Sequence, residues 1–210
     1  MSYFKSRRSA VVARNGSVAT SQPLAAQAGL QMLRDGGNAI DAAVATAAVL
    51  NVVEPMSTGI GGDMFALIWD KNERKVVSLN GSGRQAAAAN VDDVRKAGYE
   101  SIPNNGAGSH FAVSVPGTVH GWETALNQYG RMTLKEVLQP AIDYALNGYA
   151  VSEVIAHGWG GADTITKLNH RPSGQELLPG SAANGAPKYG EVITLPELGR
   201  TLQMIAEGGS

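Results

Sequence analysis

Two short stretches rich in glycine and serine carry the residue types best suited to chemistry in this chain. The first runs STGIGGD from Ser57 to Asp63, and the second runs NGSGR from Asn80 to Arg84. Because glycine has no side chain, such a turn lets backbone N–H groups face a ligand or lets two layers pack closely. The sequence leaves both uses open for the first stretch, which leads directly into the apolar run Met64–Trp69.

Arg84 is the candidate binding residue of the second stretch. Its guanidinium group is well suited to holding a carboxylate through two parallel hydrogen bonds. A solvated loop arginine is the structural alternative, and spacing alone favours that alternative. We therefore base the prediction that Arg84 binds substrate on its residue type and on the family resemblance described below.

Composition excludes several classes of site and partner. The chain has no cysteine, so thiol catalysis, disulfides and thiolate metal sites are excluded. Its four histidines show no HxH or HExxH spacing, so neither a metal site nor any other cofactor is predicted. The 17 basic residues balance 18 acidic ones, which gives no charged surface for nucleic acid or an anionic membrane.

The chain also lacks sequence signals for a membrane or a nucleotide. It has no run of about 18 apolar residues, so no membrane span is predicted. The first 17 residues contain basic side chains but no apolar core of a secretory signal, and we expect a cytoplasmic location. Gly59–Gly62 has neither a GK[ST] ending nor the GxGxxG spacing, which argues against nucleotide binding.

Two helices are predicted to precede the first turn. Pro23 follows Ser21-Gln22 at a favoured first helical position, and Gly36 fits a left-handed helix end. Asn38 is predicted to cap the next helix, with Asp41 facing the positive end of its dipole. From Ala39 to Val53 almost every residue is small and apolar, which predicts a helix buried on all sides.

The rest of the chain is predicted to mix strands, helices and loops. Met64–Trp69, as a buried strand, and Lys75–Leu79 form a hairpin around a charged loop. Other short strands are predicted at 11–13, 17–20 and 111–115, and a long loop or lid is predicted at 158–190. Further helices are predicted at Val91–Tyr99, from Thr118 to Gly130, from the capping box Thr133–Glu136 to about Gly148, after Ser152, and from Thr194-Leu-Pro-Glu197 onward. A helix layer over an antiparallel sheet is the simplest packing, so the predicted class is α+β.

Three stretches of the chain resemble one known family in the family's own order. They are VATSQPLAAQAGLQMLRDGGNAIDAAVATAAVLNVVEPMSTGIGGD, SVPGTVHGWETALNQYGRMTLKEVLQPAIDYALNGYAVS and ITLPELGRTLQMIAEGG. The family is that of the gamma-glutamyltransferases, also called gamma-glutamyltranspeptidases or glutathione hydrolases. The combination of GGNAIDAAVA, VVEP and GIGGD is far more specific than a lone glycine-rich turn.

The resemblance implies the fold and chemistry of the N-terminal nucleophile hydrolases, a four-layer αββα sandwich. Members are made as a precursor that cuts itself, and a threonine then begins the small subunit. That threonine attacks a γ-glutamyl or other amide, and water or an amine resolves the acyl-enzyme. Residues 1–210 resemble only the N-terminal portion of the large subunit, so we expect no catalytic residue in this chain and a small-subunit segment of the same precursor as its partner. We also expect the sheet of this portion to expose an apolar face.

The resemblance also bears on Arg84. The family's large subunit supplies an arginine that grips the substrate α-carboxylate, in a segment corresponding to LNGSGRQAAAAN here. When the alanines are aligned, Ser82 occupies the arginine position and Arg84 falls about two positions later. In that shift, and in having GIGGD in place of a longer glycine run, the chain resembles relatives that cleave other amides, such as oxamate or cephalosporin side chains. A non-catalytic fragment that binds carboxylates is the remaining alternative.

Overall fold

The computed structural model of the chain describes residues 9–103, 107–169 and 173–210. Its helices are α1 (Pro23–Arg34), α2 (Ala39–Val53), α3 (Val91–Lys96), α4 (Thr118–Tyr129), α5 (Leu134–Asn147), α6 (Glu153–Trp159), α7 (Ala162–Asn169) and α8 (Pro196–Gly208). Its strands are β1 (Met64–Asp70), β2 (Lys75–Gly81), β3 (Tyr149–Ala150) and β4 (Val192–Ile193), and 3-10 turns span Ala107–Ala112 and Gly174–Leu177. None of the helices in these ranges is long and apolar enough to cross a membrane.

Helix α2 lies at the centre of a helical layer and packs against α1, α4 and α5. Its valines at 49, 52 and 53 are fully buried, as the apolar pattern predicted, although Ala43 is exposed. Its contact with α1 is close, because a Cβ added at Gly29 would lie 2.2 Å from the Thr46 hydroxyl oxygen. Helix α8 packs on the far side of α5 and completes the layer.

The predicted helix ends at the start of the chain are confirmed. Pro23 is the first residue of α1, and Gly36 lies just beyond its end with φ +96°. Asn38 caps α2, and the Asn38 backbone N–H donates to the Asp41 carboxylate, which completes a reciprocal capping box. These two caps place the C-terminal end of α1 next to the start of α2.

The predicted hairpin of β1 and β2 is confirmed, in an antiparallel register that pairs Met64 with Gly81 and Asp70 with Lys75. One face packs on α4 and buries Ile68. The prediction that β1 is buried is wrong for the other face, where Phe65, Leu67 and Trp69 are 67%, 80% and 62% exposed. No element in the described ranges covers that face, so the expected exposed apolar surface is confirmed.

Three predicted strands differ from the structure. The short strands predicted at 11–13 and 17–20 do not form, because no neighbouring strand of the described chain offers them a hydrogen-bonding edge. Most of the strand predicted at 111–115 is also wrong. A 3-10 turn ends at Ala112, and the only pairing in this stretch is a single bridge between Ser114 and Gln85.

The long loop predicted at 158–190 is wrong over much of its length. After Gly160 and Gly161 the chain enters α7, which carries an ion pair between Asp163 and Lys167 at 2.7 Å. This i,i+4 pair supports a helix that has no buried residue of its own. The sequence SIPNNGAGS at 101–109 also predicts a loop, and its residues 104–106 lie outside the described ranges. Residues 1–8, and residues 170–172 of the loop predicted at 158–190, lie outside them as well.

The capping box predicted at the start of α5 is confirmed and makes stability depend on pH. The Thr133 backbone N–H and hydroxyl each donate to Glu136 Oε2 at 2.7 Å, and these hydrogen bonds lower the pKa of Glu136. A lowered pKa in the folded state stabilises the fold above the ordinary carboxyl pKa, and that contribution is lost as pH falls through the folded value. Glu136→Gln should therefore flatten the fall in denaturation midpoint between about pH 5 and pH 3.

Glu153→Gln is the matched control for this measurement. Glu153 occupies the first turn of α6, where Ser152 makes no capping hydrogen bond with its side chain. An equal flattening in both variants would contradict a specific role for the α5 capping box.

Candidate functional site

Three backbone segments meet where the two glycine-rich turns reach the start of α4. They are residues 62–63, residues 81–85 and residues 114–118, here named the junction. The carbonyl oxygen of Gly62 accepts hydrogen bonds from the N–H groups of Gly117 and Thr118, each at 3.0 Å. The first turn of α4 is thereby capped by a backbone carbonyl of the first glycine-rich turn.

Glycines in the second turn are required by close packing. A Cβ at Gly83 would lie 1.4 Å from the carbonyl oxygen of Val115, and one at Gly117 would lie 2.2 Å from that of Gly81. Real side chains do not approach a backbone oxygen so closely. Close backbone contact therefore explains Gly83 in the second glycine-rich turn and Gly117 at the start of α4.

The first residues of the first glycine-rich turn differ from the second glycine-rich turn in their packing. A Cβ at Gly59 or Gly61 would meet no heavy atom within 4 Å, so neither glycine is explained by packing against the described residues. Both residues are exposed and lie on the approach to Asp63. This part of the turn is open to a ligand or to another protein segment.

Arg84 has an anchored backbone and an exposed side chain. Its carbonyl oxygen accepts from the Val115 N–H at 2.8 Å, and the following residue, Gln85, pairs with Ser114. The side-chain amide of Gln85 also donates to the Phe111 carbonyl at 3.1 Å. No acidic side chain of the described residues forms an ion pair with Arg84, so its predicted role as a carboxylate ligand stays a prediction.

Asp63 is a junction residue whose contacts the sequence did not reveal. Its Oδ1 atom accepts from the Gly83 N–H at 3.3 Å and from the Ser114 hydroxyl at 3.4 Å. These partners are 20 and 51 residues away along the chain, so no local motif marks them. The only signal in the sequence was the aspartate that ends GIGGD.

The remaining polar side chains of the described residues form no metal site, and several of the threonine hydroxyls bond within the fold. No group of three or more histidine, aspartate or glutamate side chains in the described ranges is placed to hold a metal ion. The hydroxyls of Thr133 and Thr164 bond to Glu136 and to the Gly158 carbonyl. The Thr118 hydroxyl is buried and has no hydrogen-bond partner among the described residues.

One groove of the described chain lies away from the junction. It has a volume of about 930 Å³ and lies between α1 and α5, with Gln31, Asp35, Glu136 and Asp143 among its polar lining. None of the junction residues lines it. Residue chemistry therefore favours the junction as the candidate site.

Comparison with known proteins identifies the family. The family model described as gamma-glutamyltranspeptidase matches residues 25–210. The chain belongs to the gamma-glutamyltranspeptidase family. This confirms the resemblance drawn from the sequence.

Similar proteins include hydrolases and an acylase. The glutathione hydrolase proenzyme of Bacillus subtilis (strain 168) is 35% identical over 201 residues, which cover 95% of this chain and 33% of that protein. The crystal structure of Helicobacter pylori gamma-glutamyltranspeptidase has a TM-score of 0.83 and 31% identity, over 95% of this chain and 56% of that one. That of a cephalosporin acylase from Bacillus halodurans also has a TM-score of 0.83, with 44% identity over 98% of this chain and 38% of that one.

These likenesses confirm the predicted fold class. The described residues form the α+β arrangement of a gamma-glutamyltranspeptidase, an N-terminal nucleophile hydrolase. The chain spans about a third of the length of the curated glutathione hydrolase that it matches.

Proposed function

We propose that this chain is the N-terminal portion of the large subunit of a gamma-glutamyltranspeptidase-like amidohydrolase. The enzyme cleaves γ-glutamyl amides of the glutathione type, with hydrolysis or transfer to an amine acceptor. A threonine outside residues 1–210 becomes the first residue of a small subunit and forms the acyl-enzyme, with its own α-amine as general base. The catalytic partner of this chain is that small-subunit segment of the same precursor.

The observation that carries this proposal is the family match over residues 25–210. The relatives are named as proenzymes, which supports a precursor that is processed. Arg84 is proposed as the ligand of the substrate carboxylate, because it is an exposed guanidinium on an anchored backbone beside an open glycine turn. A cytoplasmic location stays a prediction.

A different amide substrate is the second candidate. The chain is 44% identical to the cephalosporin acylase and 31% identical to the Helicobacter gamma-glutamyltranspeptidase. This difference favours an acyl group other than γ-glutamyl, as do the displaced position of Arg84 and the aspartate at position 63. The nucleophile and the acyl-enzyme would be the same in both candidates, and only the acyl pocket would differ.

Intact mass and N-terminal sequencing of the protein purified from its source test the shared mechanism. We expect two polypeptides, one of which begins with threonine. Incubation with γ-glutamyl-p-nitroanilide should then release p-nitroaniline. A single species that matches only these 210 residues would contradict the proposal, because no nucleophile would be present. Two polypeptides without turnover of the γ-glutamyl anilide would favour the second candidate.

A further inference from the structure

The carboxylate of Asp63 connects all three segments of the junction. Asp63 immediately precedes β1, and its Oδ1 atom accepts from Gly83 in the second turn and from Ser114 in the third segment. The carbonyl of its neighbour Gly62 accepts from the first two N–H groups of the Gly117–Thr118 corner. The side chain of Asp63 and the backbone of Gly62 therefore both connect the first segment of the junction to the other two.

The contact with Gly83 fixes the residue next to Arg84. Gly83 lies so close to Val115 that no side chain fits, and the carbonyl of Arg84 is bonded to the same residue at 2.8 Å. Val115 therefore holds one edge of the turn, and Asp63 holds the N–H of Gly83. With both contacts made, the Arg84 backbone has a fixed position relative to the start of β1.

We infer that Asp63 is a positioning residue that holds Arg84 for an acyl group bearing a free carboxylate. This inference rests on the proposed function, and it assigns to Asp63 a role that acts through Arg84. The Arg84 side chain is long and exposed, so its guanidinium can meet a carboxylate in two parallel hydrogen bonds only when its backbone is held. Loss of the Asp63 acceptor should weaken binding of the substrate carboxylate while leaving the proposed threonine nucleophile chemically unchanged.

The two hydrogen bonds predict which substitution is tolerated. Asp63 only accepts hydrogen bonds in these contacts, and an asparagine side chain has a carbonyl oxygen that can accept both. A positioning role therefore predicts that Asp63→Asn behaves almost like the wild type and that Asp63→Ala does not. A role that requires negative charge, such as binding a substrate ammonium group, predicts that both variants are equally impaired.

Steady-state kinetics of the processed enzyme on three p-nitroanilides test the inference. The γ-glutamyl anilide carries a carboxylate and an amine, the glutaryl anilide carries the carboxylate alone, and the 4-aminobutanoyl anilide carries the amine alone. Asp63→Ala should raise KM about 10- to 100-fold for the two carboxylate substrates, with kcat changed far less. Turnover of the aminobutanoyl anilide should be unchanged, and Asp63→Ala should add nothing when Arg84→Ala is already present.

Asp70→Ala is the matched control. Asp70 lies at the other end of β1, roughly 20 Å from Asp63 by the rise of a strand. Its carboxylate also accepts two hydrogen bonds, in this case from the backbone N–H groups of Asn72 and Glu73. Asp70→Ala removes the same number of hydrogen bonds from the same hairpin without affecting the junction, so its KM values should match those of the wild type.

The outcomes separate this inference from the proposed function. An active wild-type enzyme whose Asp63→Ala variant keeps its KM, or whose Asp63→Asn variant is as impaired as the alanine variant, would overturn the inference alone. A processed wild-type enzyme that turns over none of the three anilides would overturn the γ-glutamyl proposal, and the positioning role with it.

Discussion

Replacing Asp41 with alanine is expected to lower the free energy of unfolding by about 3–5 kcal/mol. The Asp41 side chain is fully buried in α2, and its carboxylate accepts from the backbone N–H groups of Asn38, Arg131 and Met132 at 2.6 to 3.0 Å. Each buried donor left without an acceptor costs about 1–3 kcal/mol. The substitution would leave these three partly buried donors without their acceptor, and would open a cavity where the start of α2 meets the turn between α4 and α5.

Chemical denaturation of the protein as purified from its source, monitored by circular dichroism, measures this effect. Asp41→Asn should fall between the wild type and the alanine variant, because its amide nitrogen cannot accept a hydrogen bond and its oxygen can. Asp35→Ala is the control, since the carboxylate of that exposed aspartate accepts one hydrogen bond, from the nearby Gln31 side chain, among the described residues. A loss of less than 1 kcal/mol for Asp41→Ala would show that water or a rearranged turn replaces the carboxylate.

Asp41 also shows what a sequence can and cannot predict. Its contact with Asn38 spans three residues, and the sequence predicted the Asn38 cap with Asp41 in the first turn, although not the reciprocal hydrogen bond. Its contacts with Arg131 and Met132 span about ninety residues, and no local pattern predicts them. The same division holds for strands. The hairpin of β1 and β2 was predicted because its two strands are adjacent in sequence, whereas the alternating residues 111–115 suggested a strand that has no extended partner.

The candidate site follows the same rule. Arg84 was recognisable by residue type and by its glycine-rich setting, and the family resemblance pointed to the same stretch. The contacts that anchor its backbone could not be predicted, because Val115 and Asp63, which make them, lie in other parts of the sequence. The glycines were ambiguous in sequence, and only the distance from Gly83 to the Val115 carbonyl separates a packing glycine from a ligand-facing one.

Arg84→Ala is expected to reduce kcat/KM for the γ-glutamyl anilide about 100- to 1,000-fold. A pair of hydrogen bonds between guanidinium and carboxylate contributes roughly 3–4 kcal/mol, and every 1.4 kcal/mol is about tenfold. Arg84→Lys keeps the charge but loses the planar, two-pronged geometry, so it should recover only part of the activity. The loss should appear mainly in KM, because the carboxylate is remote from the amide bond that reacts and is bound equally in the ground state and the transition state.

Arg95→Ala is the control that separates a binding arginine from a surface arginine. Arg95 is exposed on α3 and faces Asp92 at 3.7 Å, a pair whose loss costs little. If both variants keep wild-type kinetics, Arg84 is a solvated loop residue and the acyl pocket must take its carboxylate ligand from elsewhere. If Arg84→Ala spares the 4-aminobutanoyl anilide and impairs the glutaryl anilide, the guanidinium reads the carboxylate itself. That second result would place the substrate carboxylate at the junction, where Asp63 and the open glycines of the first turn already lie.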